Sequence, residues 1–102
     1  MKIYLSPKNK KYYAVANYDI KSKKTRVLKG SIVSKDIKCF KGERKVQTLR
    51  NKLVKDGVLQ EDIEFNSLST AASFISGRSK NGLLSWKTEN KISMKQYLSM
   101  GN

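Results

Sequence analysis

Arg78, Ser79 and Lys80 stand between Gly77 and the Asn81-Gly82 pair, so two cations and a hydroxyl are offered on one short loop. The chemistry open to such a loop is to hold an anion, since guanidinium, ammonium and hydroxyl groups all donate to phosphate oxygens. A second set of cations is spread along a helix. At 100° per residue, Lys41, Arg44, Lys45, Lys52 and Lys55 fall within an arc of roughly 100°, opposite Val46, Leu49, Leu53 and Val54. A merely solvated face mixes signs and gains i,i+4 pairs. A stripe of one sign is read here as a surface for phosphate.

Other chemistry is poorly supplied. The chain has no histidine, so the usual general base for a serine or cysteine nucleophile is missing. Cys39, between Lys38 and Phe40, is a small thiol whose neighbouring lysines could lower its pKa. Its bland reading is a buried apolar side chain. One cysteine and no histidine cannot assemble the common zinc sets. Glu61, Asp62 and Glu64, beside Asp56, form the only acidic cluster, in a stretch read as loop that would not fix oxygens around Mg²⁺. We therefore expect no enzyme, no cofactor and no metal.

The elements that must position the cations are legible from periodicity. Residues 3–5 read as a short strand stopped near Pro7. Residues 12–20 read as a longer one, with Tyr12, Ala14, Ala16, Tyr18 and Ile20 on one face and Tyr13 on the other. The tyrosines Tyr4, Tyr12, Tyr13 and Tyr18 are interleaved with lysines as on a base-stacking platform, of which Tyr13 is the ring expected outside. After a polar turn at residues 21–24, residues 25–33 return as a strand with a bulge at Gly30. Residues 42–56 read as a helix ended by Gly57. Ser67 or Ser69 can cap a second helix carrying Ala71, Ala72, Phe74 and Ile75, which Gly77 ends in the left-handed conformation. Asn81-Gly82 is the sequence of a two-residue turn with positive φ, leading into a strand at Leu83-Leu84-Ser85-Trp86. Residues 92–100 read as a short helix capped by Ser93. The expected fold class is α+β: a small antiparallel sheet of three to four strands packed with two main helices.

The string from Ser69 through Ala71-Ala72, Gly77-Arg78-Ser79, Asn81-Gly82 and Trp86-Lys87 resembles the small domain of unknown function often attached to GIY-YIG endonucleases. It also resembles the related RAMA (restriction enzyme adenine methylase associated) domain. The likeness continues upstream in residues 27–31, Leu49-Arg50 and residues 57–59. Leu68 stands where the family usually has proline, and Leu83 where it often has a first tryptophan. The resemblance implies a DNA-associated accessory domain, a candidate reader of modified DNA, without catalysis.

Composition agrees in kind. At 102 residues, with 38% hydrophobic and 29% charged content, the chain is expected to be one domain over residues 1–102. The net charge is +14, and it is lopsided. Residues 1–60 hold 17 Lys/Arg against 4 Asp/Glu, a net +13, whereas residues 61–102 hold 5 against 4, a net +1. Such a field attracts polyanions. No run is long and apolar enough for a membrane, and the single cysteine fits a reducing cytoplasm. The expected partner is DNA, held largely through phosphates. The alternative is a protein-interaction module serving a nuclease or methyltransferase.

Overall fold

Side chains that alternate in and out build the sheet, and the inward set is apolar apart from Thr25. The computed structural model describes residues 1–35, 37 and 40–100; Cys39, with Lys38, lies outside the described residues. In chain order the elements are β1 (Lys2–Leu5), β2 (Ala14–Tyr18), β3 (Thr25–Val27), α1 (Glu43–Leu53), β4 (Val54–Lys55), β5 (Val58–Leu59), β6 (Ile63–Phe65), α2 (Leu68–Ser76), α3 (Gly82–Ser85) and α4 (Met94–Met100). A four-stranded antiparallel sheet runs β1-β2-β3-β6, and β4 with β5 forms a separate hairpin. This is a mixed α+β fold, as its sequence periodicity predicts.

Ile3, Leu5, Ala14, Ala16, Tyr18, Thr25, Val27 and Phe65 line the buried face of the sheet. They share one core with Leu68, Ala71, Ala72, Phe74 and Ile75 of α2, with Trp86, and with Met94 of α4. Phe65 and Phe74 bring their ring centroids to 5.3 Å, tilted by 46°, which joins β6 to α2. That geometry lies in the favourable range for aromatic pairs. The opposite face, carrying Lys2, Tyr4, Val15, Asn17, Arg26 and Glu64, is half-buried or exposed. Ile20, assigned by periodicity to the inner face, is half exposed because β2 ends at Tyr18 and Asp19 begins a turn. Asp19 accepts from the Lys21 amide and the Ser22 hydroxyl. The Ser22 bond first, then the Lys21 amide, holds its carboxyl below the ordinary aspartate range.

The fourth strand is Ile63–Phe65, not residues 83–86. Ile-Glu-Phe alternates cleanly, and Glu64 on its outer side lies 3.7 Å from Lys24 and 3.8 Å from Arg26. The strand expected over residues 25–33 stops at Val27. Ala16 faces Val27 and Tyr13 faces Ile32, so between these pairs two residues on one side oppose four on the other. The excess is taken up at Lys29-Gly30, where Gly30 adopts φ +92°. The Ser31 hydroxyl accepts the Val15 amide that this excursion leaves over. The Gly30 bulge is therefore present, and wider than one residue.

The helix expected over residues 42–56 ends at Leu53. Asp56 and Gly57 take φ +53° and +79°, the pair of positive values that a two-residue hairpin turn requires. Val54 and Lys55 are consequently drawn into a hairpin with Val58 and Leu59. No helix among the described residues is long and apolar enough to cross a membrane.

Candidate functional site

The loop after α2 is fixed by the way that helix's carbonyl end is satisfied. Ser67 caps the start, its hydroxyl accepting the Thr70 amide at 3.1 Å. Leu68 is the first helical residue. At the other end four carbonyls lack helical partners. Gly77, in the left-handed region at φ 72°, sends its amide to Ser73 O. Arg50 Nε donates to Phe74 O at 2.9 Å, and Arg50 Nη2 to Ile75 O at 3.0 Å. Ile75 O also takes the Ser34 amide, and the Ser34 hydroxyl donates to Ser76 O at 2.6 Å. Arg50 Nη1 in turn donates to Ser34 O.

Arg50 is thus a structural cation. It is 8% exposed and lies against the negative end of the α2 dipole, with no carboxylate among its described partners. Burial lowers its pKa from the ordinary arginine value. With those carbonyls occupied, Arg78 has no role in closing the helix. The Ser76 hydroxyl holds its backbone from both sides, accepting the Arg78 amide and donating to Arg78 O, each at 3.2 Å. Its guanidinium is left exposed, without a hydrogen bond or ion pair among the described residues.

The next turn differs from the sequence expectation. Asn81 does not open a hairpin. It caps α3, its side-chain oxygen accepting the Leu83 amide at 3.0 Å. Gly82 does not hold positive φ; it is required for closeness. A Cβ there would collide with the Leu68 carbonyl carbon and the Ser69 amide, and the Gly82 amide donates to the Ser69 hydroxyl at 2.9 Å. The single turn of α3 lets Trp86, fully buried, send its indole N–H to Leu68 O at 2.9 Å. Trp86 and Gly82 together lock α3 onto the first turn of α2.

Those constraints bring residues far apart in sequence around one trough. Lys11, Tyr12, Arg78 and Lys80 line a cavity of about 170 Å³. A second, of about 230 Å³, shares Tyr12 and Lys80 with it and adds Lys8 and Lys87. A third, of about 580 Å³, shares Lys8 and Lys87 and adds Tyr4, Tyr13, Glu89 and Lys91. Among the described residues, the cations along this run are Lys8, Lys11, Arg78, Lys80, Lys87 and Lys91, and the acid is Glu89. Burial raises the Tyr12 hydroxyl's pKa, and the nearby Arg78 guanidinium opposes that rise. Arg78 lines this end of the trough together with Tyr12. Such a lining can hold a chain of anionic groups. A larger cavity, of about 610 Å³, lies beyond the end of β2, but Asp19 and Glu64 there face Lys21, Lys24 and Arg26, so its charge is mixed.

Of the residues predicted from sequence, Arg78 and Lys80 enter the trough; Ser79 is exposed beside them. Arg44, Lys45 and Lys52 are exposed on α1, and Lys41 is exposed in the turn before it. Lys55 belongs to the hairpin and not to the helical stripe, because the Asp56-Gly57 turn ends the helix early. Gly77 caps a helix as predicted. The acidic stretch disperses: Glu64 faces Lys24 and Arg26, and Asp62 accepts the Lys29 amide at 2.8 Å. Lys8, Lys11, Lys87 and Lys91 escaped sequence reading because they come from two distant segments and share no local pattern. Lys91 did carry a signal only a structure reveals, a left-handed φ of 65° in the turn beside the trough.

A family model described as domain of unknown function (DUF4357) matches residues 6–98, and the chain belongs to that family. No curated protein and no solved structure gives a significant match.

Proposed function

We propose that this member of a family of unknown function is a non-catalytic DNA-binding accessory domain, which grips the phosphate backbone along the trough from Arg78 to Lys91. The observation that carries the reading is the continuous run of six cations against one acid, Glu89, among the described residues. Phosphates at regular spacing are the natural occupants of such a run, and counterion release drives their binding. The exposed cations Lys41, Arg44, Lys45, Lys52 and Lys55, with Ser79, extend the positive field. The resemblance to domains of GIY-YIG endonucleases and to RAMA adds a setting: a cytoplasmic restriction-modification system, in which the domain holds a nuclease or methyltransferase on DNA, modified DNA included. One observation favours the alternative, a protein-interaction module. Leu83 and Leu84 sit side by side on α3, 40% and 52% exposed.

Two substitutions separate contact from scaffold. Arg78→Ala should leave the melting temperature nearly unchanged, since an exposed, unpaired side chain adds little to folding, while weakening DNA binding measured by fluorescence anisotropy. Trp86→Ala should cost about 3–5 kcal/mol of stability, as expected for a buried aromatic. If Arg78→Ala unfolds the domain, or binds DNA as well as the parent, the trough reading is withdrawn in favour of the Leu83–Leu84 surface.

A further inference from the structure

An apolar row crosses the outer face of the sheet and ends on a lysine at each side. Lys87 pairs with Tyr4 through reciprocal amide bonds of 2.8 Å, and Tyr4 faces Val15 on β2. Two residues before Val15, just ahead of β2 and so on the same face, Tyr13 pairs with Ile32 by bonds of 3.0 and 2.7 Å. Ile32 then faces Val58, and Val58 faces Lys55. Residues directly opposite in antiparallel pairs project to the same side. The row therefore reads Lys87, Tyr4, Val15 with Tyr13, Ile32, Val58, Lys55. Tyr13 is 44% exposed and Ile32 47%. The buried core lies on the other face, and these side chains are half-buried or exposed among the described residues.

Tyr4 and Tyr13 also line the 580 Å³ end of the trough, together with Lys8, Lys87 and Lys91. That volume is within the range of small-molecule sites, about 300–1,000 Å³. Two flat rings beside ammonium groups, with Glu89 as the nearby acid, match an occupant that is both planar and polyanionic. A protein partner would need the apolar row but not its cationic border. A duplex would use the cations but keeps its base faces stacked inside.

We propose that this face binds single-stranded nucleic acid, with unpaired bases stacked on Tyr13 and Tyr4 and the flanking phosphates held by Lys8, Lys87 and Lys91. The proposal rests on the phosphate-gripping reading of the trough and names the form of nucleic acid that the trough takes. Stacking on aromatic rings is tolerant of sequence because every base has a π-face. Aromatic rings on a four-stranded sheet serve the same end in RNA-recognition domains, where two or three bases stack. The chemistry is the point of comparison, not the strand order.

The test uses the full chain and four labelled probes of equal length, read by anisotropy at low salt: oligothymidylate, oligouridylate, an abasic strand, and a duplex. Oligothymidylate should bind about tenfold or more tighter than the abasic strand. Tyr13→Ala should weaken oligothymidylate binding by roughly five- to a hundredfold, leave the abasic strand unchanged, and be rescued by Tyr13→Phe. Weaker binding of oligouridylate would assign the face to DNA, and stronger binding to RNA; either outcome supports stacking. If the abasic strand or the duplex binds as tightly as oligothymidylate, or if Tyr13→Ala changes nothing, stacking is overturned while phosphate gripping stands. If none of the probes binds, both readings fall together.

Discussion

Two arginines near the end of α2 look alike in sequence and do opposite work. Arg50 spends its donors on Phe74 O, Ile75 O and Ser34, inside the core. Arg78 keeps its own free, among the described residues, at the rim of the trough. Arg50→Ala should therefore destabilise the domain by about 3 kcal/mol or more, because hydrogen bonds from a charged group contribute about 1.5–3 kcal/mol and buried carbonyls would be left unpaired. Arg50→Lys should not restore the loss, since an ammonium cannot reproduce the planar fork. Thermal melts of both variants check this; a melting temperature within a degree or two of the parent for Arg50→Ala would contradict it. The helical wheel does set Arg50 apart: at 100° per residue it falls between Val46 and Val54, on the apolar side and opposite Arg44, Lys45 and Lys52. What periodicity leaves out is its partner, the carbonyl end of a second helix. The same holds for Gly82. An Asn-Gly pair carries a local hairpin signal, but here the glycine answers a tertiary contact that leaves no local trace.

At the level of elements, the sequence was readable wherever the pattern is local. Alternation exposed β1 and the buried face of β2, Ser67 and Gly77 marked both ends of α2, and Ser93 marks α4, its hydroxyl accepting the Gln96 amide. Reading failed where two local signals compete within a few residues. The apolar periodicity of α1 runs on through Val54, yet Asp56-Gly57 imposes a hairpin, and the turn prevails because both residues accept positive φ. The segment from Asn81 to Trp86 failed for the converse reason, since one turn of helix is too short to establish a period. The account of α3 has a direct consequence. Gly82→Ala should destabilise the fold by about 1–3 kcal/mol or more through overpacking against Leu68 and Ser69, although alanine is the better helix former. Chemical denaturation of this variant tests the claim. Unchanged or increased stability would mean that α3 does not lie against α2 as described.

Across the whole molecule, the charge of +14 was visible from composition, whereas its useful arrangement was not. Composition locates the excess in residues 1–60, but the trough draws Lys8 and Lys11 from that half and Arg78, Lys80, Lys87 and Lys91 from the other, nearly neutral one. Folding thus builds a local field where the sequence total is close to zero. The central claim, that this trough holds phosphates, is tested most directly by the salt dependence of binding. Each neutralised phosphate contributes about −0.9 to the slope of log K against log salt on duplex DNA and about −0.7 on a single strand. The parent should show a steep negative slope, and the double reversal Arg78→Glu with Lys80→Glu should flatten it by about 1–2 units while leaving the fold intact. A parent that fails to bind even at low salt, or a reversed variant whose slope equals the parent's, would contradict the account.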